Sequence, residues 1–151
     1  MKKPVRLYNV LFPVWRLWLV PQVWLVVLPG NFLIDSLVLF LAMKGLALSD
    51  KKRRYGESIW KVFLFGLLAD FIAAGVLMFL AFVMEWGGPY ADDLYLTVPA
   101  LFLAGGMIFI FNYYITFRKS EQFVRWRLSL ALAVFTAPYT FLIPSRWIYH
   151  F

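Results

Sequence analysis

An all-α integral membrane bundle is the fold class this sequence predicts, and composition, apolar run length and charge placement predict it. Of the 151 residues, 63% are hydrophobic, 21% aromatic and only 15% charged, with a mean hydropathy of +0.75. That is far too apolar for a soluble domain of this length. Three runs, 59–84, 94–117 and 123–143, reach the ~20 residues needed to cross a bilayer core as a helix. A formal charge of +7 raises the question of nucleic acid, but the basic residues cluster where the apolar runs end. They read as orientation signals, so no nucleic-acid partner is expected.

The chain opens with Lys2, Lys3 and Arg6, followed by an apolar stretch, 7–28, interrupted by Pro13 and Pro21 and carrying Arg16 inside it. Its 22 residues would make ~33 Å of helix. The favoured expectation is a kinked first span that returns through a turn at Pro29-Gly30, giving a helical hairpin and five crossings in all. The competing expectation is an interfacial or re-entrant N-terminal segment and four crossings. Trp15 and Trp18, and a polar face of Arg6, Asn9 and Arg16, support it. No small-residue cleavage site follows the apolar run, so the segment is expected to remain in the mature chain.

The next span is 31–48, with Asn31 as an N-cap that starts a helix near Phe32, and Gly45 and Ser49-Asp50 at its far end. The basic loop 44–61 separates it from the run 59–84, and the acidic loop 85–93 leads on to the run 94–117. A second basic segment, 118–127, precedes the last run, 123–143. The positive-inside rule puts loops 44–61 and 118–127 in the cytoplasm and loop 85–93 outside, as in a bacterial-type cytoplasmic membrane. Trp60 and Trp126 then fall in the inner interfacial belt, and Trp86 and Trp147 in the outer one. No linker, low-complexity tract or internal repeat divides the chain, so 1–151 is expected to be a single domain.

Two carboxylates lie inside these runs, Asp35 and Asp70. A carboxylate at bilayer depth costs at least ~2.5 kcal/mol, so it faces protein or water and takes a partner. Asp70 sits on a small-residue face with Gly66, Ala69, Ala73, Ala74 and Ala81, of the kind that lets helices approach closely in lipid. Gly105, Asn112 and Thr116 form a stripe on the following span, and Arg125, Ser129, Ala133, Thr136 and Thr140 form one on the last. Together these stripes predict one polar seam.

Counting ~1.5 Å per residue from the inner boundary puts Asp70 ~12 Å deep and Arg16 ~14 Å deep, which predicts an ion pair. The same count sets Asp35 about one turn in from the outer side, where free helix N–H groups favour an anion. Asp35 and Asp70 are thus expected on different levels, which argues against a direct acid dyad and an aspartyl intramembrane protease. For both residues a structural role, a buried clasp or a helix cap, stands beside the functional one.

Catalytic signatures are missing. The sequence has no cysteine, its one histidine is His150, and it contains no HExxH, GxSxG or phosphate-loop motif. No enzyme activity, metal site or cofactor is expected. The leading functional expectation is an ion- or proton-linked transporter or channel, with Asp70, Asp35, Arg16, Asn112, Ser129 and Thr136 as ion- or substrate-binding residues. The alternative is a non-catalytic membrane subunit that docks proteins or lipids. Lys51, Lys52, Arg53 and Arg54 serve first as a topology signal and second as a lipid or partner patch. The lipid bilayer is the expected surroundings, and a homo-oligomer or larger membrane complex the expected assembly.

Overall fold

A computed structural model describes residues 21–85 and 94–142. Among them the chain forms four α-helices, α1 (Pro21–Gly45), α2 (Lys51–Glu85), α3 (Leu94–Phe111) and α4 (Gln122–Phe135), with no strand. A π-helical turn (Asn112–Thr116) extends α3, and a 3-10 turn (Tyr139–Leu142) follows α4. The helices pack in a ring: α1 on α2, α2 on α3, α3 on α4, and α4 back on α1. Three helical segments, Pro21–Gly45, Lys51–Leu80 and Thr97–Thr116, are long and apolar enough to cross a membrane.

α1 overturns the expected turn at Pro29-Gly30-Asn31, because the helix runs straight through Pro29. Proline removes one backbone hydrogen bond. A hairpin turn in apolar surroundings would strand several backbone groups, so the continuous helix is the lesser cost. Pro29 is exposed, and a Cβ on Gly30 would meet nothing within 4 Å, so neither residue crowds a neighbour. The expected hairpin therefore has no turn at Pro29-Gly30, since 21–28 is the start of α1. Residues 1–20, Arg16 included, lie outside the described residues, as do 86–93 and 143–151.

α1 ends at Gly45, as its sequence predicts. The tight connection to α2 is closed by hydrogen bonds from the Leu46 N–H to the Ala42 carbonyl (3.1 Å) and from the Ala47 N–H to the Lys44 carbonyl (3.1 Å). Ala47 holds φ 50 there, a left-handed conformation in which a Cβ costs roughly 1–2 kcal/mol. α1 and α2 then lie antiparallel. Trp24 stacks on Phe71 at 4.6 Å, Phe32 meets Phe63 edge-on at 5.5 Å, and the Ser36 and Tyr55 hydroxyls hydrogen-bond nearer the basic end.

Each helix buries one narrow stripe and leaves large apolar residues outside, the arrangement lipid favours. α1 buries Asp35, Leu39 and Met43 at four-residue spacing while Leu33, Leu37, Phe40 and Leu41 are exposed. α2 buries Val62, Gly66, Ala69, Asp70, Ala73 and Leu77, so the small-residue face does point inward. α3 buries Thr97, Ala100, Ala104 and Ile108, and Asn112 follows on the same stripe. The apolar core, with Leu39, Met43, Ile59, Val62, Ile108, Phe117, Leu128 and Leu132, fills the half of the ring nearer the basic loops.

The expected last span, 123–143, is not one helix. α4 has 14 residues, ~21 Å of helix, well short of the ~30 Å hydrocarbon core. Pro138 cannot donate a backbone N–H and disfavours helix at the residue before it. The Thr136 hydroxyl adds to this by donating to the Leu132 carbonyl at 2.8 Å, alongside the Thr136 N–H at 2.9 Å. The helix stops at Phe135, and the chain continues as the 3-10 turn.

Candidate functional site

The break in α4 faces the two carboxylates. Asp35 from α1 and Asp70 from α2 line a single cavity of about 180 Å³, walled on its other side by Phe135, Thr136, Ala137, Pro138, Tyr139 and Thr140. Both aspartates are 4% exposed. A Cβ on Gly66 would lie 3.4 Å from the Asp35 Oδ2, so the carboxylate packs directly against α2 at this position. One turn further along, Asn31 Nδ2 donates to Asp70 Oδ2 at 3.4 Å, while Asp70 Oδ1 is buried with no hydrogen-bond partner among the described residues.

These contacts correct the expected depths. Asp35 is level with Gly66 and Asp70 with Asn31, so the carboxylates are offset by about one helical turn, ~6 Å. The difference follows from where the helix begins, at Pro21 rather than near Phe32. With α1 running from Pro21, Asp35 lies in mid-helix rather than at a helix end. Asn31, expected as an N-cap, is instead the side-chain partner of Asp70. The sequence carried a signal for this, because Asn31 precedes Asp35 by one turn and shares its face.

The cavity is chemically one-sided. Its lining among the described residues holds two carboxylates, the hydroxyl-bearing Thr136, Tyr139 and Thr140, and no lysine or arginine. Thr136 lies beside the Asp35 carboxylate, and the two carboxylates are within electrostatic reach of each other. α4 also ends here, and the C-terminal end of a helix carries unpaired carbonyls and partial negative charge. Oxygen donors, two acids and a negative helix end suit a proton or a small hard cation. Among the described residues no group of three or more His, Cys, Asp or Glu side chains is placed to hold a metal ion.

Below the cavity, toward the basic loops, the remaining predicted polar residues line the α3–α4 contact. Gly105 packs against the Ala133 carbonyl, and the Arg125 guanidinium sits over the Tyr113 ring at 4.0 Å. Asn112 and Ser129 fall between these two contacts and are fully buried. Asn112 Nδ2 donates to the Ile108 carbonyl at 2.8 Å, but Asn112 Oδ1, Ser129 Oγ, Thr116 Oγ1 and Arg125 Nε are buried without hydrogen-bond partners among the described residues. The predicted seam is thus divided: Thr136 and Thr140 line the acid cavity, and Asn112, Thr116 and Ser129 lie apart from it. The proposed Arg16–Asp70 pair lies outside the described residues.

At the basic end a second cavity, of about 370 Å³, opens between the two basic loops. The run Lys51-Lys52-Arg53-Arg54 is split by it, because Arg53 and Arg54 line the cavity and Lys51 and Lys52 do not. Arg53 Nε bonds Glu57 Oε1 at 3.0 Å across one exposed helical turn.

The fold and site together define a helical bundle with several helices able to cross a membrane and a buried pair of acids between them. No family model, curated protein or solved structure matches the chain, so its function rests on the site itself.

Proposed function

We propose that the chain is a small multi-pass membrane transporter or channel driven by or carrying a proton or monovalent cation, with Asp35 and Asp70 as the coordinating carboxylates. The observation that carries this reading is the meeting of two buried acids with the broken end of α4 in one cavity whose lining, among the described residues, holds no lysine or arginine. Broken helices at mid-depth supply backbone oxygens to ions, and an intramembrane acid without a cationic neighbour attracts a positive charge. In this reading the route continues through Ser129 and Asn112 to Thr116, whose unpartnered oxygens offer water successive hydrogen-bonding stations. Thr116 reaches the basic-end cavity, so the route opens toward the loops that the positive-inside rule assigns to the cytoplasm.

The test is flux in liposomes reconstituted with the full chain. Asp70→Asn keeps an oxygen for Asn31 to donate to and removes the charge, so the protein should fold with unchanged helicity and lose cation- or proton-dependent flux. Wild-type flux in both Asp70→Asn and Asp35→Asn would remove the acids from the mechanism.

A second reading is a non-catalytic membrane subunit, and the Asn31–Asp70 hydrogen bond favours it, because a polar clasp between α1 and α2 also serves assembly alone. Under that reading the purified chain moves no solute, and Asp70→Asn lowers helix-bundle stability or recovery of a complex.

A further inference from the structure

The cavity at the basic end is more than a by-product of topology, since cations that only orient a chain need not converge. Arg54 and Lys61 line it from α2, and Arg118 and Lys119 from the turn before α4. None of these four has an ion-pair partner among the described residues, whereas Arg53 is tied to Glu57. The lining also holds two acids, Asp50 and Glu57; Glu57 is bonded to Arg53, and Asp50 acts on Arg53 through its charge.

Neutral donors converge there as well. Ser58, 8% exposed, and Ser120 line the same space. Thr116 lines it too, with its Oγ1 buried and without a hydrogen-bond partner among the described residues. Cations in excess of acids, together with hydroxyl donors, match the several acceptor oxygens of a phosphate group. The buried side chains of Met43 and Leu128 close the floor, and the half-exposed Ile115 gives an apolar ledge at the rim. Exposed Trp60, Tyr114 and Trp126 belong to the same end of the bundle, as side chains at headgroup height do.

We infer that this cavity binds a phosphate-bearing group, and that the group is the headgroup of an anionic phospholipid in the leaflet on the basic side. The inference rests on this cavity's own lining, which shares Thr116 with the proposed route and no residue with the acid cavity, and lipid retention is read apart from flux.

Native mass spectrometry of the full chain in detergent, titrated with phosphatidylglycerol, phosphatidylcholine or inorganic phosphate, tests it. Wild-type protein should retain one saturable phosphatidylglycerol and no comparable phosphatidylcholine. At about fivefold per cation near a membrane surface, Arg54→Gln with Lys119→Gln should weaken retention roughly thirtyfold. Lys51→Gln with Lys52→Gln removes the same charge outside the cavity and should leave retention near wild type.

Equal weakening in both double variants, or graded and unsaturable adducts on the wild-type chain, would overturn the site. The wild-type titration decides the matter even when a variant does not fold. Retention of inorganic phosphate without phosphatidylglycerol, sensitive to the cavity variant alone, would keep the phosphate chemistry and overturn the lipid source.

Discussion

Gly66 is where the packing of the bundle and the acid cavity meet, and a graded substitution there separates them. A methyl at this position would sit 3.4 Å from Asp35 Oδ2, an ordinary van der Waals contact that moves nothing. Gly66→Ala should therefore keep the α1–α2 approach and gain up to ~1 kcal/mol from helix propensity. Gly66→Leu carries the chain past that contact into the carboxylate and the cavity of about 180 Å³. Overpacking of this kind costs about 1–3 kcal/mol. Circular dichroism during titration of micellar protein with sodium dodecyl sulfate reads both effects, and flux in liposomes reads occlusion. The alanine variant should keep flux and the leucine variant should lose it. A loss of more than about 2 kcal/mol for alanine, well outside the surface-substitution range, or no change for leucine, would refute the placement of Asp35 against Gly66.

Asn112→Leu removes an amide with one unpartnered buried oxygen, so stability should hold or rise by ~1 kcal/mol while flux falls; a large loss of stability would show that Asn112 is structural. Tyr55→Phe deletes the hydroxyl that joins α2 to Ser36 and should cost ~1 kcal/mol in the same titration. Arg53→Gln should leave the melting temperature unchanged, because the pair it forms with Glu57 is solvent-exposed. The hydrogen bond and charge of Glu57 hold the Arg53 guanidinium pKa above its ordinary value. Any stability from that shift is present below the unfolded pKa and lost only as pH rises through the higher folded one. A wild-type melting curve should therefore show no step from this group between roughly pH 5 and 9.

Much of the interior was legible from residue types alone. Gly66, Ala69, Asp70 and Ala73 recur on one helical face, and the bundle buries that face. Asn112 and Ser129 were singled out as polar residues on apolar helices, and both are fully buried. Where structure and sequence part, proline is the reason, because its local preference and its cost in an apolar helix differ. Pro29 with Gly30 reads as a turn, yet an exposed proline in an apolar helix strands fewer backbone groups than a turn would. Moving that boundary moved Asp35 by about half a helix and hid its neighbourhood with Asp70. Pro138 has the opposite history. It lay inside a run apolar enough to be taken as a full span, and it helps end α4 beside the acids. The π-helical turn leaves no mark in hydrophobic periodicity, because it adds only one residue to a single turn.

That turn changes what insertion and deletion mean for this chain. The Phe117 N–H bonds the Asn112 carbonyl at 2.9 Å, five residues back, so the ring closes around one residue more than an α-helix allows. One residue is ~100° of rotation. With the extra residue Phe117 faces the core at 2% exposure while Tyr114 and Ile115 face outward. Removing one residue from the turn would restore ordinary helix and swing everything before Ser120 around the axis, carrying Thr116 off the basic-end cavity. Length variation at this point therefore acts as a change of phase, and a related chain that gained or lost a residue here would present a different side chain to the basic-end cavity while keeping its apolar profile intact.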